Sequence, residues 1–162
     1  MIAYQVSNSV EVKVRQGLSI LQGINLAYQN GLFAAGTEAV KLIKSRVQKS
    51  GVSADGKVLF TKSRAKDGAY SQRHGTARRL RNLRVSKVDL TFTGDMMKDF
   101  GIAFLRNRSV EVGFTSGKEA AKLERLEQYY GADIMAASDD EESQALDKFE
   151  SELFKVIDKI FS

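Results

Sequence analysis

Residues 88–114 read VDLTFTGDMMKDFGIAFLRNRSVEVGF, and the period of the apolar positions changes along this stretch. Val88, Leu90 and Phe92 alternate with polar residues, the period of a half-buried strand, which Thr93–Gly94 would stop. Asp95 to Phe100 then predicts a short helix, with the Asp95 carboxylate near its positive end. A strand pair follows: Ala103–Leu105, a turn at Arg106–Asn107, and Val110, Val112 and Phe114 alternating with Glu111 and Gly113.

Upstream, Val10, Val12 and Val14 alternate with Glu11, Lys13 and Arg15 and predict another strand. From about Gln16 to Lys49 the period becomes helical. Leu32, Gly36, Val40, Ile43 and Val47 form one stripe, with a break expected near Asn30–Gly31. Asp55–Gly56 offers a tight turn between Val52–Ser53 and Val58–Phe60. Downstream, Lys118 to Tyr130 predicts a helix stopped by Gly131. Ser138 and Glu141 suggest a capping box for a last helix with Leu146, Phe149, Leu153, Val156 and Ile160 on one face. The expected class is α+β: a small antiparallel sheet packed with a long N-terminal-half helix and a C-terminal amphipathic helix.

At 162 residues the chain is expected to be one domain, 1–162, carrying a basic arm or loop at about 51–87 and an acidic helix at about 138–161. There is no Cys, which excludes disulfides, thiolate metal sites and a Cys nucleophile. Leu18 to Ile43, the most apolar long stretch, is interrupted by Gln22, Asn25, Gln29, Asn30 and Glu38, so no spanning helix and no membrane partner are expected. The first basic residue is Lys13, so no signal peptide of the usual form is expected, and synthesis in a cytoplasm follows.

Charge is distributed unevenly. Lys41 to Lys87 holds 14 Lys and Arg against Asp55 and Asp67, a balance of +12, whereas Asp133 to Ser162 holds nine acids against three Lys, a balance of −6. Such asymmetry suits contact with a polyanion or head-to-tail association of identical subunits. Lys62, Arg64, Lys66, Arg73, Arg78, Arg79, Arg81 and Arg84 are the candidate interaction residues of the arm. With Tyr70 the only Phe, Tyr or Trp from Thr61 to Lys87, stacking on single strands is not expected, while contact with duplex phosphates or an acidic protein face is.

Catalytic patterns are weak. Gly51 to Val58 is a near miss to a phosphate-cradling loop, but it follows a helix and ends in Val58, so a turn is the expectation. His74, the only histidine, stands among cations with no acid spaced to orient it, and a surface or interface position is expected. Asp139 to Glu142 fan around a helix start. Asp95 and Asp99 share a helical face, but two carboxylates make a thin case for a metal-dependent hydrolase. No enzyme activity, cofactor or metal is expected.

Taken in order, the short motifs of the central chain resemble a family of tailed-bacteriophage virion morphogenesis proteins, the tail-completion or neck proteins of the head–tail junction. These motifs are the helix end Ile43 to Gly51, Asp55-Gly56-Lys57 leading to Phe60, and Tyr70-Ser71 with Arg73 and Gly75. The run Val88-Asp89-Leu90-Thr91-Phe92-Thr93-Gly94-Asp95-Met96 and the strand Val110 to Phe114 complete the set. The resemblance covers roughly residues 35 to 125. It implies a non-enzymatic virion protein that completes the tail end and joins it to the head connector, made in the bacterial host cytoplasm. It also implies a homo-oligomeric ring, six- or twelve-fold, around the DNA channel, with other neck, connector and tail proteins as partners. A strongly basic wall would hold double-stranded DNA that must slide, so the arm is expected to dock on acidic surfaces of a neighbouring subunit or ring. The acidic terminal helix of the adjacent copy is one candidate. The alternative is a small basic DNA-binding or packaging accessory protein contacting phosphates through residues 62–87.

Overall fold

In the structure, a computed structural model, residues 8–161 are described, with side chains described for residues 18–159. The chain is α+β. Helix α1 spans Asn8–Ser45 and passes into a π-helical turn, Arg46–Ser50. Strands β1 (Lys66–Asp67) and β2 (Tyr70–Ser71) make a minimal hairpin that leads into α2 (Gln72–Arg79). Then come α3 (Asp95–Asp99), the antiparallel pair β3 (Phe100–Arg106) and β4 (Ser109–Phe114), α4 (Gly117–Tyr130) and α5 (Asp139–Phe161). There are thus two two-stranded sheets where one small sheet was expected.

The core draws one or two residues from nearly every segment of the body: Ile43, Val47, Leu59, Tyr70, Val88, Met97, Phe100, Tyr130, Ile134 and Met135 among them. It takes nothing from α5 and, within α1, reaches no further towards the N-terminus than the half-buried Val40. Helix α5 packs on α1 instead. The Phe149 ring lies 2.9 Å from where a Cβ on Gly31 would sit, and Tyr28 meets it edge-on at 5.2 Å between centroids. Arg46 locks the near end of this pair: it donates to Glu141 (2.9 Å) and to the carbonyls of Val52, Ile134 and Ala136. The Ser138–Glu141 capping box is formed in both directions, at 2.9 and 3.3 Å. Leu146, expected on the buried stripe of α5, is 56% exposed; Phe149, Leu153 and Val156 face inward, and Ile160 lies outside the described side chains.

Four expectations are corrected. Residues 10–14 are helical, within α1; among the described residues no strand stands beside them, and Val10 and Val14, four apart, suit a helix equally well. The side chains there lie outside those described. Helix α1 does not break at Asn30–Gly31, because Gly31 serves the close approach of Phe149; the irregularity is the π turn at Arg46. Residues 88–92 form no strand. Val88 and Asp89 are both buried although adjacent, and Leu90 takes φ +55°, an uncommon conformation for a non-glycine residue. Finally, residues 51–87 are no extended arm. Val52 and Val58 bridge across the Asp55–Gly56 turn, β1–β2 and α2 fold onto the body, and Leu59, Ala69 and Tyr70 join the core. Gly68 permits this folding, since it adopts φ +63° and an added Cβ would strike the Val85 carbonyl.

Candidate functional site

Helix α2 was invisible to hydrophobic periodicity because its buried positions are Gly75 and Arg78. Arg78 is 1% exposed, so it is not an interaction residue. Its Nη2 donates to both carboxylate oxygens of Asp89 at 2.8 Å, its Nε to the Arg84 carbonyl at 2.7 Å, and its guanidinium lies 4.4 Å from the Tyr70 ring centre. The Tyr70 hydroxyl donates to Asp89 (3.2 Å) and accepts from the Asp89 amide (3.0 Å), while Asp89 also accepts from the Thr91 amide. Burial pushes the Tyr70 hydroxyl well above the usual phenol range. Alternation had assigned Asp89 to solvent. The only available signal was that Asp67 and Asp89 bracket a cationic stretch otherwise devoid of acids.

Three of the other seven candidates, Arg79, Arg81 and Arg84, also have local work, as does the neighbouring Lys87. Arg79 pairs with Asp67 (2.8 and 2.5 Å), whose carboxyl is held below its usual range chiefly by that hydrogen bond. Arg84 donates to the Gln48 carbonyl and Lys87 to that of Lys49, where the end of the long helix leaves acceptors unsatisfied. Arg81 sits over Phe92, 4.3 Å from its centre. The Arg64, Lys66 and Arg73 side chains are exposed and make no hydrogen bond or ion pair among the described residues, and the Lys62 ammonium meets only the Tyr129 ring at 5.7 Å. Of the eight candidates the structure therefore leaves four available, all within residues 62–73.

Next to Lys62, whose ammonium lies over the lining ring of Tyr129, opens a recess of about 390 Å³ between α2, residues 88–96 and α4. Tyr70, Ser71, Leu90, Thr93 and Met96 line it, so the Tyr70-Ser71 motif and the run 88–96 meet at one place. His74 is half-buried in its wall, stacked on Tyr70 and against Phe92, both at 4.9 Å. Burial first, and the Arg78 charge second, hold the imidazole below its ordinary pKa. From α4 come Leu126, Tyr129 and Tyr130, the last with its hydroxyl pushed up to about 12 by burial. The recess is aromatic and mostly apolar.

The remaining motif residues lie elsewhere. Asp55 accepts from the Ser53 hydroxyl, which lowers its pKa, and Gly56 takes φ +76° in the same turn. Thr91 is half-buried, Gly94 precedes α3 with φ +81°, and Asp95 is exposed in the first turn. Asp99 is committed to the start of α4, accepting from the Thr115 hydroxyl (2.7 Å) and the Ser116 amide (3.0 Å). It therefore does not converge with Asp95 on a shared ligand. Lys57, of the near-miss phosphate loop, donates to the Tyr130 and Gly131 carbonyls at the end of α4. Among the described residues no group of three or more His, Asp or Glu is placed to hold a metal ion, and no helix is long and apolar enough to cross a membrane.

Fold and site together define an α+β protein with a compact body, an aromatic recess, an exposed cationic segment at residues 62–73, and a helix pair running out from the body. Comparison with protein-family models, curated proteins and solved structures finds no match.

Proposed function

We propose that this protein is a non-enzymatic structural component of the tailed-bacteriophage neck, completing the tail end and joining it to the head connector within an oligomeric ring around the DNA channel. The observation that carries this reading is the meeting of Tyr70, Ser71, Leu90, Thr93 and Met96 at one recess. Residues that resemble the family motif only as an ordered series then serve one folded unit. Two further features support it. Four exposed cations stand at one part of a chain whose final helix begins with four acids, and unlike surfaces are what a head-to-tail contact joins. The buried Arg78–Asp89 pair also gives the cationic segment a fixed shape, so it is presented as a surface.

The test is complementation in a phage that encodes this chain. Changing Lys62, Arg64, Lys66 and Arg73 together to Glu leaves the thermal midpoint close to that of the wild type and yields filled heads and tails that remain separate. Infectious particles containing no copy of this protein would overturn the reading.

The same four cations favour one other reading, a DNA-binding or packaging accessory protein. Four phosphate contacts on a duplex give log K against log salt a slope of about −3.6. Tight duplex binding in 0.2 M salt by a protein absent from virions would decide for this second reading.

A further inference from the structure

We infer that the part of α1 outside the body is an assembly surface for a second copy of this chain, whose α5 outer face it receives. The inference rests on the self-assembly in the function proposed above and names where it occurs. Gly31 faces Phe149 of α5, which fixes the wheel of α1. At 3.6 residues per turn, Leu18, Gln22, Leu26, Gln29 and Phe33 fall about 140–220° round from Gly31, on the side away from α5. From Gly36 onward the hairpin covers this side: a Cβ there would lie 2.5 Å from Val110. The Gln29 amide donates to the Asn107 carbonyl, at the hairpin tip (2.9 Å). Towards the N-terminus the cover stops. Leu18, Leu26 and Phe33 are 55%, 63% and 55% exposed along about 22 Å of helix.

The chemistry of this stretch argues for protein cover. Residues 16–37, 22 in a row, contain no Asp, Glu, Lys, Arg or His. A helix exposed on one side normally carries charge there, whereas the centres of protein interfaces are depleted of it. The far side of the same two-helix layer also carries an exposed aromatic residue, among acids. Phe154, about 140° round α5 from Phe149, is 56% exposed, as is Leu146 on the flank. The uncharged α1 face and the exposed Phe154, set among Asp147, Ser151 and Asp158, lie on opposite sides of one layer and meet when the layers of successive copies stack. The exposed amides of Gln22 and Asn25 supply donors for α5 carboxylates such as Glu150 at the margin. Contact between two different faces of identical subunits repeats, and rotation closes it into a ring.

Native mass spectrometry and light scattering of the purified full chain at about 50 μM test this without any phage component. The wild type forms oligomers. Leu26→Glu with Phe33→Glu, disabling one face, and Phe154→Glu, disabling the other, are each monomeric, with affinity lowered roughly a hundredfold. Mixed in equal amounts they form one-to-one heterodimers and nothing larger, because each variant retains one working face. Circular dichroism checks the fold, and Leu26→Gln with Phe33→Gln replaces the charged pair if that pair unfolds. A monomeric wild type, self-assembly of Phe154→Glu like the wild type, or a mixture that stays monomeric each overturns the inference. Oligomers that obey these rules, from a protein absent from virions, would sink the neck assignment and leave this contact standing.

Discussion

Arg78→Met tests the central claim about the cationic segment, that it is folded around one buried charge. Arg78 is 1% exposed and the Asp89 side chain 8%. The substitution keeps the apolar stem and removes the guanidinium, leaving a carboxylate inside the body. Breaking a buried pair by removing one partner costs about 3–5 kcal/mol. Asp89 keeps the Tyr70 hydroxyl and the Thr91 amide as donors and the Arg84 guanidinium at 3.9 Å, which favours the lower end, while the Arg84 carbonyl also loses its partner. With a urea slope of about 2 kcal/mol per molar, a loss of about 3 kcal/mol lowers the midpoint by roughly 1.5 M. That is a large share of the roughly 5–15 kcal/mol available to such a protein. Adding Asp89→Asn, which removes the stranded charge, recovers at least half of the loss, and the cycle gives the coupling directly. Arg73→Met, at an exposed and unpaired position, shifts stability by less than about 0.5 kcal/mol. If urea titration followed by circular dichroism puts Arg78→Met within about 1 kcal/mol of wild type, Arg78 is solvated and the account of this segment fails.

Two other outcomes follow from the same unit. The folded pKa of His74 lies below its ordinary value, so between the two values the unfolded chain binds more protons. Its contribution is present above about pH 6.5, is lost as pH falls towards the lowered folded value, and is flat below that. His74→Phe keeps the stack between Tyr70 and Phe92 and flattens the stability profile between about pH 7.5 and 5.5; since this is the only histidine, an unchanged slope would refute the assignment. Gly68→Ala forces a Cβ into the Val85 carbonyl at φ +63° and lowers stability by more than about 1 kcal/mol in thermal melts, a loss that a neutral result would contradict.

The legible parts of the fold are those whose stability is apolar and periodic. The hairpin, though expected to begin only at Ala103 and found to begin at Phe100, the short helix at Asp95, α4 up to Gly131 and the capped α5 follow from alternation, helical stripes and terminal signals, because burying one face is what fixes them. The illegible part is residues 61–92. Its apolar core residues, Ala69, Tyr70 and Val88, are scattered, and an ion pair, a tyrosine hydroxyl and glycine contacts hold the rest, none of which leaves a hydrophobic period; Val88-Asp89-Leu90 imitates a strand while burying its acid.

The candidate site divides in the same way. Composition alone located the cationic stretch and separated it from the acidic last helix. Only the tertiary structure decided which cations are available. Arg78 is withdrawn, Arg79 paired, Arg84 and Lys87 spent on the end of the long helix, and Lys62, Arg64, Lys66 and Arg73 left outward. The reason is physical. Charge is fixed residue by residue along the chain, but the worth of each charge depends on the solvent and partners that folding removes or supplies.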